Sequence, residues 1–287
     1  MRAIVLAFFA LLAPFALAQP ILKATQVAEF ADGLSQPHDA AFSPDGKLIY
    51  LTDMRNSRMR ILEAMTLKLV GTFGERELLS PHDAVFDKAG RLLVADTGND
   101  RIAIYEVNGA QAKLVGELKG LSGPEGVAVT PDGRVIVSNT RGATLSVFRD
   151  GKLERSVGGR GSRDGEFANP HDVEAAADGS VYVVDSGNDR VQVFDAELKH
   201  RATFGAALKL NGPKYLAFDA DRIWLADENN HRVVLLDRAH QLLGVLGTGK
   251  RGRSAGEFNK PEAVLARAPY VWVIDTYNDR VVLLRVE

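Results

Sequence analysis

The chain has 287 residues, of which 46% are hydrophobic and 25% charged, with only 11 prolines. That is the composition of a globular protein and excludes a wholly disordered or collagen-like chain. Thirty-five Lys and Arg stand against 37 Asp and Glu, so no global basic field exists to hold nucleic acid, and the absence of cysteine excludes disulfides, thiol catalysis and Cys-based zinc sites together.

The chain opens on Met1-Arg2, then an apolar run from Ala3 to Leu17 interrupted only by Pro14, and closes that segment with Ala16-Leu17-Ala18. A positive start, a short apolar run and small residues at a cleavage position form a secretory signal peptide rather than a membrane span. Residues 1–18 are therefore expected to be removed, leaving residues 19–287 as one domain in the periplasm or outside the cell. No later apolar stretch approaches membrane length.

Everything after Gln19 is organised by a repeat. Its anchors are Pro37, Pro81, Pro124, Pro170, Pro213 and Pro261, separated by 44, 43, 46, 43 and 48 residues. After each Pro comes a short apolar strand, a turn, a second strand ending at Asp53, Asp96, Asn139, Asp185, Asp227 or Asp275, and a third strand opened five residues later by Arg58, Arg101, Thr144, Arg190, Arg232 or Arg280. Residues 171–175, 180–185, 190–195 and 198–204 show the four strands of one repeat, with apolar residues at a period of two. Four strands in about 44 residues, repeated, predict an all-β, six-bladed β-propeller with four antiparallel strands per blade. The sixth repeat supplies only three strands before the chain stops. The strand-like segment 24–30 is expected to complete it and close the ring.

A residue needed once for chemistry need not recur in five blades, whereas a blade-building contact must. The Asp–Arg pairs are therefore read as structural ties between the second-to-third-strand turn and nearby backbone. Gly98 and Gly187 fit turn positions that need positive φ, and Trp224, Trp272, Tyr182 and Phe194 read as core.

The informative positions are those where the repeats differ. The residue after each anchoring Pro begins the innermost strand near one mouth of the channel, and round the ring it is His38, His82, Glu125, His171, Lys214 and Glu262. Three of the six histidines share this position. Side chains from separate blades converge on the axis. His38, His82 and His171, with Glu125 as an oxygen donor, are thus candidate ligands for zinc or another divalent transition metal; the residues leave equally open that these histidines only cap the strand starts. Two residues after each blade Asp, Arg55, Arg141 and Tyr277 replace small or polar turn residues and should rim the same mouth, together with the basic loops 158–166 and 247–257. Such a rim favours a small anionic ligand.

The phrases Pro170-His-Asp-Val, Val183-Val-Asp-Ser-Gly-Asn-Asp-Arg-Val-Gln-Val-Phe and Gly252-Arg-Ser-Ala-Gly-Glu-Phe resemble the NHL repeat across essentially the whole of residues 19–287. The three Pro-His motifs also resemble the lyase domain of the peptide-amidating enzymes, itself an NHL propeller. That resemblance implies a His-bound catalytic zinc, a Tyr base matched by Tyr277, Arg side chains such as Arg55 and Arg141 on a substrate carboxylate, and a structural calcium with Asp39, Asp83 or Asp172 as candidate ligands. It departs from the family in drawing the histidines from blades one, two and four rather than from alternating blades. The expectation is an exported propeller that binds a protein, peptide or small anionic ligand at a His-lined mouth, with a metal-dependent lyase or hydrolase as the alternative. It is expected to be a monomer with no nucleic-acid partner.

Overall fold

The computed structural model describes residues 19–287; the signal-peptide segment expected over residues 1–18 lies outside the described residues. Six four-stranded antiparallel sheets form the blades. Blade four shows the unit: Pro170–Ala175, Val181–Asp185, Arg190–Phe194 and His200–Phe204, hydrogen-bonded in chain order from the axis outwards. In the last blade Ala263–Arg267, Tyr270–Asp275 and Arg280–Val286 are joined by Ala24–Phe30, which pairs antiparallel with the final strand from Ala24↔Val286 to Phe30↔Val281. The ring is closed as expected, and an edge of six backbone-bonding residues is removed. Among the described residues no helix is long and apolar enough to cross a membrane.

The period-two reading holds for the outer strands, such as Gln111–Leu118, where exposed and partly buried residues alternate. It fails in the middle of each blade. Leu92–Asp96 and Val181–Asp185 are buried at every position, because neighbouring blades pack on both faces of the sheet and leave no solvent side. The apolar core is accordingly divided among six seams between blades; the seam of blades six and one, for example, holds Trp272, Ile274, Leu283, Leu51 and Leu62. Trp224, Trp272, Tyr182 and Phe194 are all buried, as expected of core residues.

The recurring Asp and Arg build the turn that leads to the mouth. Each blade Asp, buried throughout, accepts a backbone N–H from the segment before its own anchoring Pro: Asp53 from Ser35, Asp96 from Leu79, Asp185 from Ala168, Asp227 from Asn211 and Asp275 from Asn259, at 2.7–2.9 Å. Its other oxygen takes the Arg Nε five residues on, at 2.7–3.0 Å in Arg58, Arg101, Arg190, Arg232 and Arg280. The guanidinium then donates to loop carbonyls, as Arg190 does to Ser162, Arg163 and Glu166. In blade three Asn139 keeps half of this: Oδ1 accepts from Ser122 N–H at 3.0 Å, while Nδ2 turns to Ser146 Oγ at 2.9 Å.

Gly98 and Gly187 correct the sequence reading. Neither has positive φ; both lie within the short 3₁₀ turn. They are needed for space, since a Cβ on Gly98 would sit 2.7 Å from the Leu79 carbonyl oxygen and one on Gly187 2.9 Å from Ala168 Cβ. The left-handed residue is the one closing the turn: Ser57, Asp100, Ala143, Asp189, His231 or Asp279. In five of the six blades its side chain accepts the N–H of the residue before the next blade's Pro, as Asp189 does from Gly212 at 2.7 Å and His231 Nδ1 from Lys260 at 3.0 Å. A side-chain acceptor that tolerates αL therefore joins blade to blade.

Candidate functional site

Three side chains that are 44 and 89 residues apart in sequence meet at the mouth. The His38 and His82 rings lie 4.5 Å apart, and His82 and His171 6.3 Å apart across blade three. Glu125, on blade three, stands between the latter two, with His171 Nε2 3.4 Å from one oxygen and His82 Nε2 4.0 Å from the other. His38 Nε2 faces Glu262 at 3.2 Å, within ion-pair distance but outside hydrogen-bond geometry, so that Glu262 Oε2 is left unpartnered.

Tautomers follow from the other ring nitrogen. His38 Nδ1 lies 3.0 Å from the Gln36 carbonyl and His82 Nδ1 2.8 Å from the Ser80 carbonyl. A carbonyl only accepts, so each Nδ1 carries the proton and each Nε2 of a neutral ring presents its lone pair to the channel. Burial, the largest influence, pushes His38 and His82 down to about 4 and His171 well below its ordinary value, so the rings are neutral at pH 7. At His38 and His82 the lone pairs then face carboxylate oxygens, of Glu262 and Glu125. That arrangement is repulsive unless a proton or a cation lies between them. Burial raises Glu262 to about 7, the Lys214 ammonium opposing the rise. His171 edges onto the Tyr215 ring at 4.9 Å, and its Nδ1 is buried without a partner. Tyr215 Oη in turn donates to the Glu125 carbonyl at 3.0 Å, bracing that side of the mouth.

The donor set suits a transition metal. Two ligands about 2.0–2.1 Å from a tetrahedral zinc lie roughly 3.3 Å from each other, and the observed Nε2–Oε separations of 3.2, 3.4 and 4.0 Å bracket that figure. Nδ1–H groups held by backbone carbonyls are the usual support of metal-bound imidazole. Among the described residues no group of three or more His, Asp or Glu is already drawn together as a metal centre.

Tyr277, Arg55 and Arg141 stand at second-to-third-strand turns, as expected, but no hydrogen bond or ion pair joins them to the histidines among the described residues. Arg55 Nε donates to Gln36 Oε1 at 2.8 Å, Arg141 pairs with Asp100, and Tyr277, 42% exposed, lies under Lys260 Nζ at 5.1 Å. The basic rim is also weaker than its sequence suggests. Arg163 is held by Glu166 at 2.5 Å and Arg253 by Glu29 at 2.7 Å, so acidic neighbours from the same loop or the closing strand neutralise much of it.

A charged wall that the sequence reading passed over lies on blades five and six. Glu228 is buried between Lys260 Nζ at 3.0 Å and Lys214 Nζ at 3.6 Å. The signal existed: at the position after the blade Asp, Glu228 stands where blades two, three, four and six carry Thr97, Thr140, Ser186 and Thr276. Asp39, Asp83 and Asp172, one residue beyond the histidines, line the channel as buried acids. Asp83 accepts from Val127 N–H at 2.6 Å and Asp172 from Leu216 N–H at 2.9 Å, tying each blade to the next. Burial is the main reason that Asp39 and Asp172 rise well above their ordinary value and Asp83 to about 6.

This geometry defines a six-bladed β-propeller with four antiparallel strands in each blade. The NHL repeat model matches residues 78–105, 121–148 and 167–194, in blades two, three and four, so these three blades are similar to NHL repeats. No curated protein matches it. Among solved structures it is similar to virginiamycin B lyase from Staphylococcus aureus, with a TM-score of 0.64 at 11% identity over 93% of this chain and 100% of that one. It is also similar to an auxiliary nutrient binding protein from Bacteroides ovatus, with a TM-score of 0.70 at 14% identity over 94% and 78%. Hydrazine synthase from Kuenenia stuttgartiensis gives 0.63 at 16% identity over 89% and 78%. At these identities the likeness is one of fold.

Proposed function

We propose that this propeller is an exported, monomeric binding protein whose mouth holds a divalent transition metal through His82, Glu125 and His171, with His38 as a further donor, and presents it to a small anionic ligand or the carboxylate of a peptide. The observation that carries the reading is the pair of neutral imidazoles, His38 and His82, whose lone pairs face carboxylates, with His171 Nε2 3.4 Å from Glu125 beside them. A bound zinc-like ion would act as a Lewis acid toward an oxygen ligand. Around it, Lys214 and Lys260 would steer the anion while Glu228 holds both ammonium groups in place. A structural calcium among Asp39, Asp83 and Asp172 would relieve the buried negative charge there, in keeping with the family resemblance. Export rests on the signal motif over residues 1–18.

Metal analysis of residues 19–287 after dialysis tests the reading. About one zinc or similar ion per chain is expected, lost in a His38→Ala/His82→Ala/His171→Ala variant and retained in His200→Ala. Equal metal in wild type and the triple variant would overturn it. A second reading, a metal-dependent lyase or hydrolase, is favoured by one feature: Tyr277 presents its phenol, 42% exposed, at the rim beside the Lys260 ammonium. Under that reading Tyr277→Phe keeps the metal and loses turnover of peptide or carboxylate substrates.

A further inference from the structure

The seams between blades carry a repeated device at the face opposite the histidines. The residue three places before the blade Asp on one sheet's second strand meets the last apolar residue of the next blade's first strand. Tyr50 packs edge-to-face on Phe86 at 5.2 Å, Tyr182 on Phe218 at 5.1 Å, and Trp272 on Phe42 at 4.9 Å. In two of these seams a guanidinium caps the ring, Arg238 over Phe218 at 4.4 Å and Arg267 over Phe42 at 4.1 Å. The strand registers place Leu93 and Val129 at the same two positions in the seam of blades two and three. Both rings are gone there, as they are in the seam of blades three and four, where Ile136 and Ala175 stand at these positions.

In the seam of blades two and three a cleft of about 480 Å³ opens, walled by Leu93, Ile104, Leu118, Val129, Val135 and Phe148; in the other ringless seam Phe167, Phe194 and Leu198 pack the core around Ala175 instead. That is the size and lining of a small-molecule site. Its entrance is unobstructed, since a Cβ built on Gly133 or Gly151 would meet nothing within 4 Å. Of the charged groups at the rim, Asp87 and Arg91 satisfy each other at 2.7 Å. Two are left over. The Lys88 ammonium donates only to the Pro131 carbonyl, leaving two N–H groups free, and the Asp150 carboxylate has no hydrogen-bond or ion-pair partner among the described residues. An apolar slot shaped for a ring, with one unsatisfied cation and one unsatisfied anion at its lip, is complementary to a zwitterion bearing an aromatic ring.

The geometry points to a second binding site, distinct from the His-lined mouth, that takes a free aromatic amino acid. The ring occupies the place of the missing aromatic pair, the ligand carboxylate faces Lys88 and the ligand ammonium faces Asp150. Ring burial supplies most of the affinity, and the two charges select the zwitterion over half-charged analogues.

Calorimetric titration of residues 19–287 with L-phenylalanine, phenethylamine, 3-phenylpropionate and L-leucine tests the site. Saturable binding of phenylalanine is expected, with the two half-charged analogues at least about tenfold weaker, a difference of roughly 1.4 kcal/mol, and with no detectable binding of leucine. Leu93→Tyr with Val129→Phe rebuilds the aromatic pair and should abolish binding. Asp150→Asn and Lys88→Gln, both on the surface and remote from the core, should each weaken it by about tenfold, so the test holds even if the filled variant does not fold. Absence of saturable phenylalanine binding, undiminished binding in a folded filled variant, or equal binding of leucine would overturn the proposal. Equal binding of either half-charged analogue would overturn the assignment of its missing charge.

Discussion

The turn between the second and third strands and the start of the first strand lie side by side at the mouth, yet they vary in opposite ways. At the turn, five blades repeat the same Asp, Arg and backbone N–H contacts to within 0.3 Å. At the strand start, the six blades carry three His, two Glu and one Lys. The first set is fixed because each blade must solve the same problem, which is to satisfy buried backbone groups where the chain reverses. The second set falls where the register of the first two strands shifts and the ladder skips a residue, so its side chains build no repeated contact and can be used for chemistry.

The largest test of the structural half concerns the ring rather than any one turn. Removing residues 19–30 takes away the outer strand of blade six, strips Phe30 from the seam core and bares the edge of Arg280–Val286 together with Leu283 and Val281. The expected outcome is a chain that aggregates or fails to give a cooperative thermal transition. A truncated chain as stable as the full one would show that closure contributes nothing.

A smaller test separates a turn that has the ion pair from the one that lacks it. Asp185→Ala leaves Arg190 without its carboxylate and Ala168 N–H without an acceptor, and should cost about 3–5 kcal/mol in urea denaturation. Asn139→Ala breaks only neutral bonds and should cost about 1–3 kcal/mol. If the Asp185→Ala/Arg190→Leu double variant is no more stable than Asp185→Ala alone, the stranded-charge explanation is wrong.

How far the sequence was legible follows the same division. Repeat spacing and the incomplete last blade disclosed the ring and its closing strand, because both are one-dimensional patterns. His38, His82, His171 and Glu125 were legible as a ring position for the same reason. The Glu228–Lys260–Lys214 wall was not, since it joins a turn, a loop and an inner strand whose proximity only the packing of blades five and six creates. Gly98 and Gly187 were misread because a glycine in a turn suggests positive φ, whereas close approach to the preceding loop is a property of three-dimensional packing. Nor did Leu93 and Val129 stand out: each is an ordinary strand residue until the register sets it against the rings of the other seams.

The smallest expected effect is a pH dependence that distinguishes the channel acids from the histidines beside them. With chelator present, His38 and His82 have folded values of about 4 against an ordinary 6.5. Between those limits the unfolded chain binds more protons, so these groups make stability fall as pH drops from 6.5 to 4. Glu262, raised to about 7, and Glu174, raised to about 8 chiefly by burial, act in the opposite sense. Their folded forms hold protons that the unfolded chain releases above 4.5, so they make stability fall as pH rises through the folded values. From 4.5 to 6.5 the two sets oppose each other. Above 6.5 only the acids still change, and stability should decline up to pH 8, by at most about 1.4 kcal/mol per pH unit for each group. Glu174→Gln cannot release a proton, so its urea midpoint should decline less between pH 6.5 and 8 than that of the wild type. An unchanged slope would mean that Glu174 does not hold its proton at neutral pH.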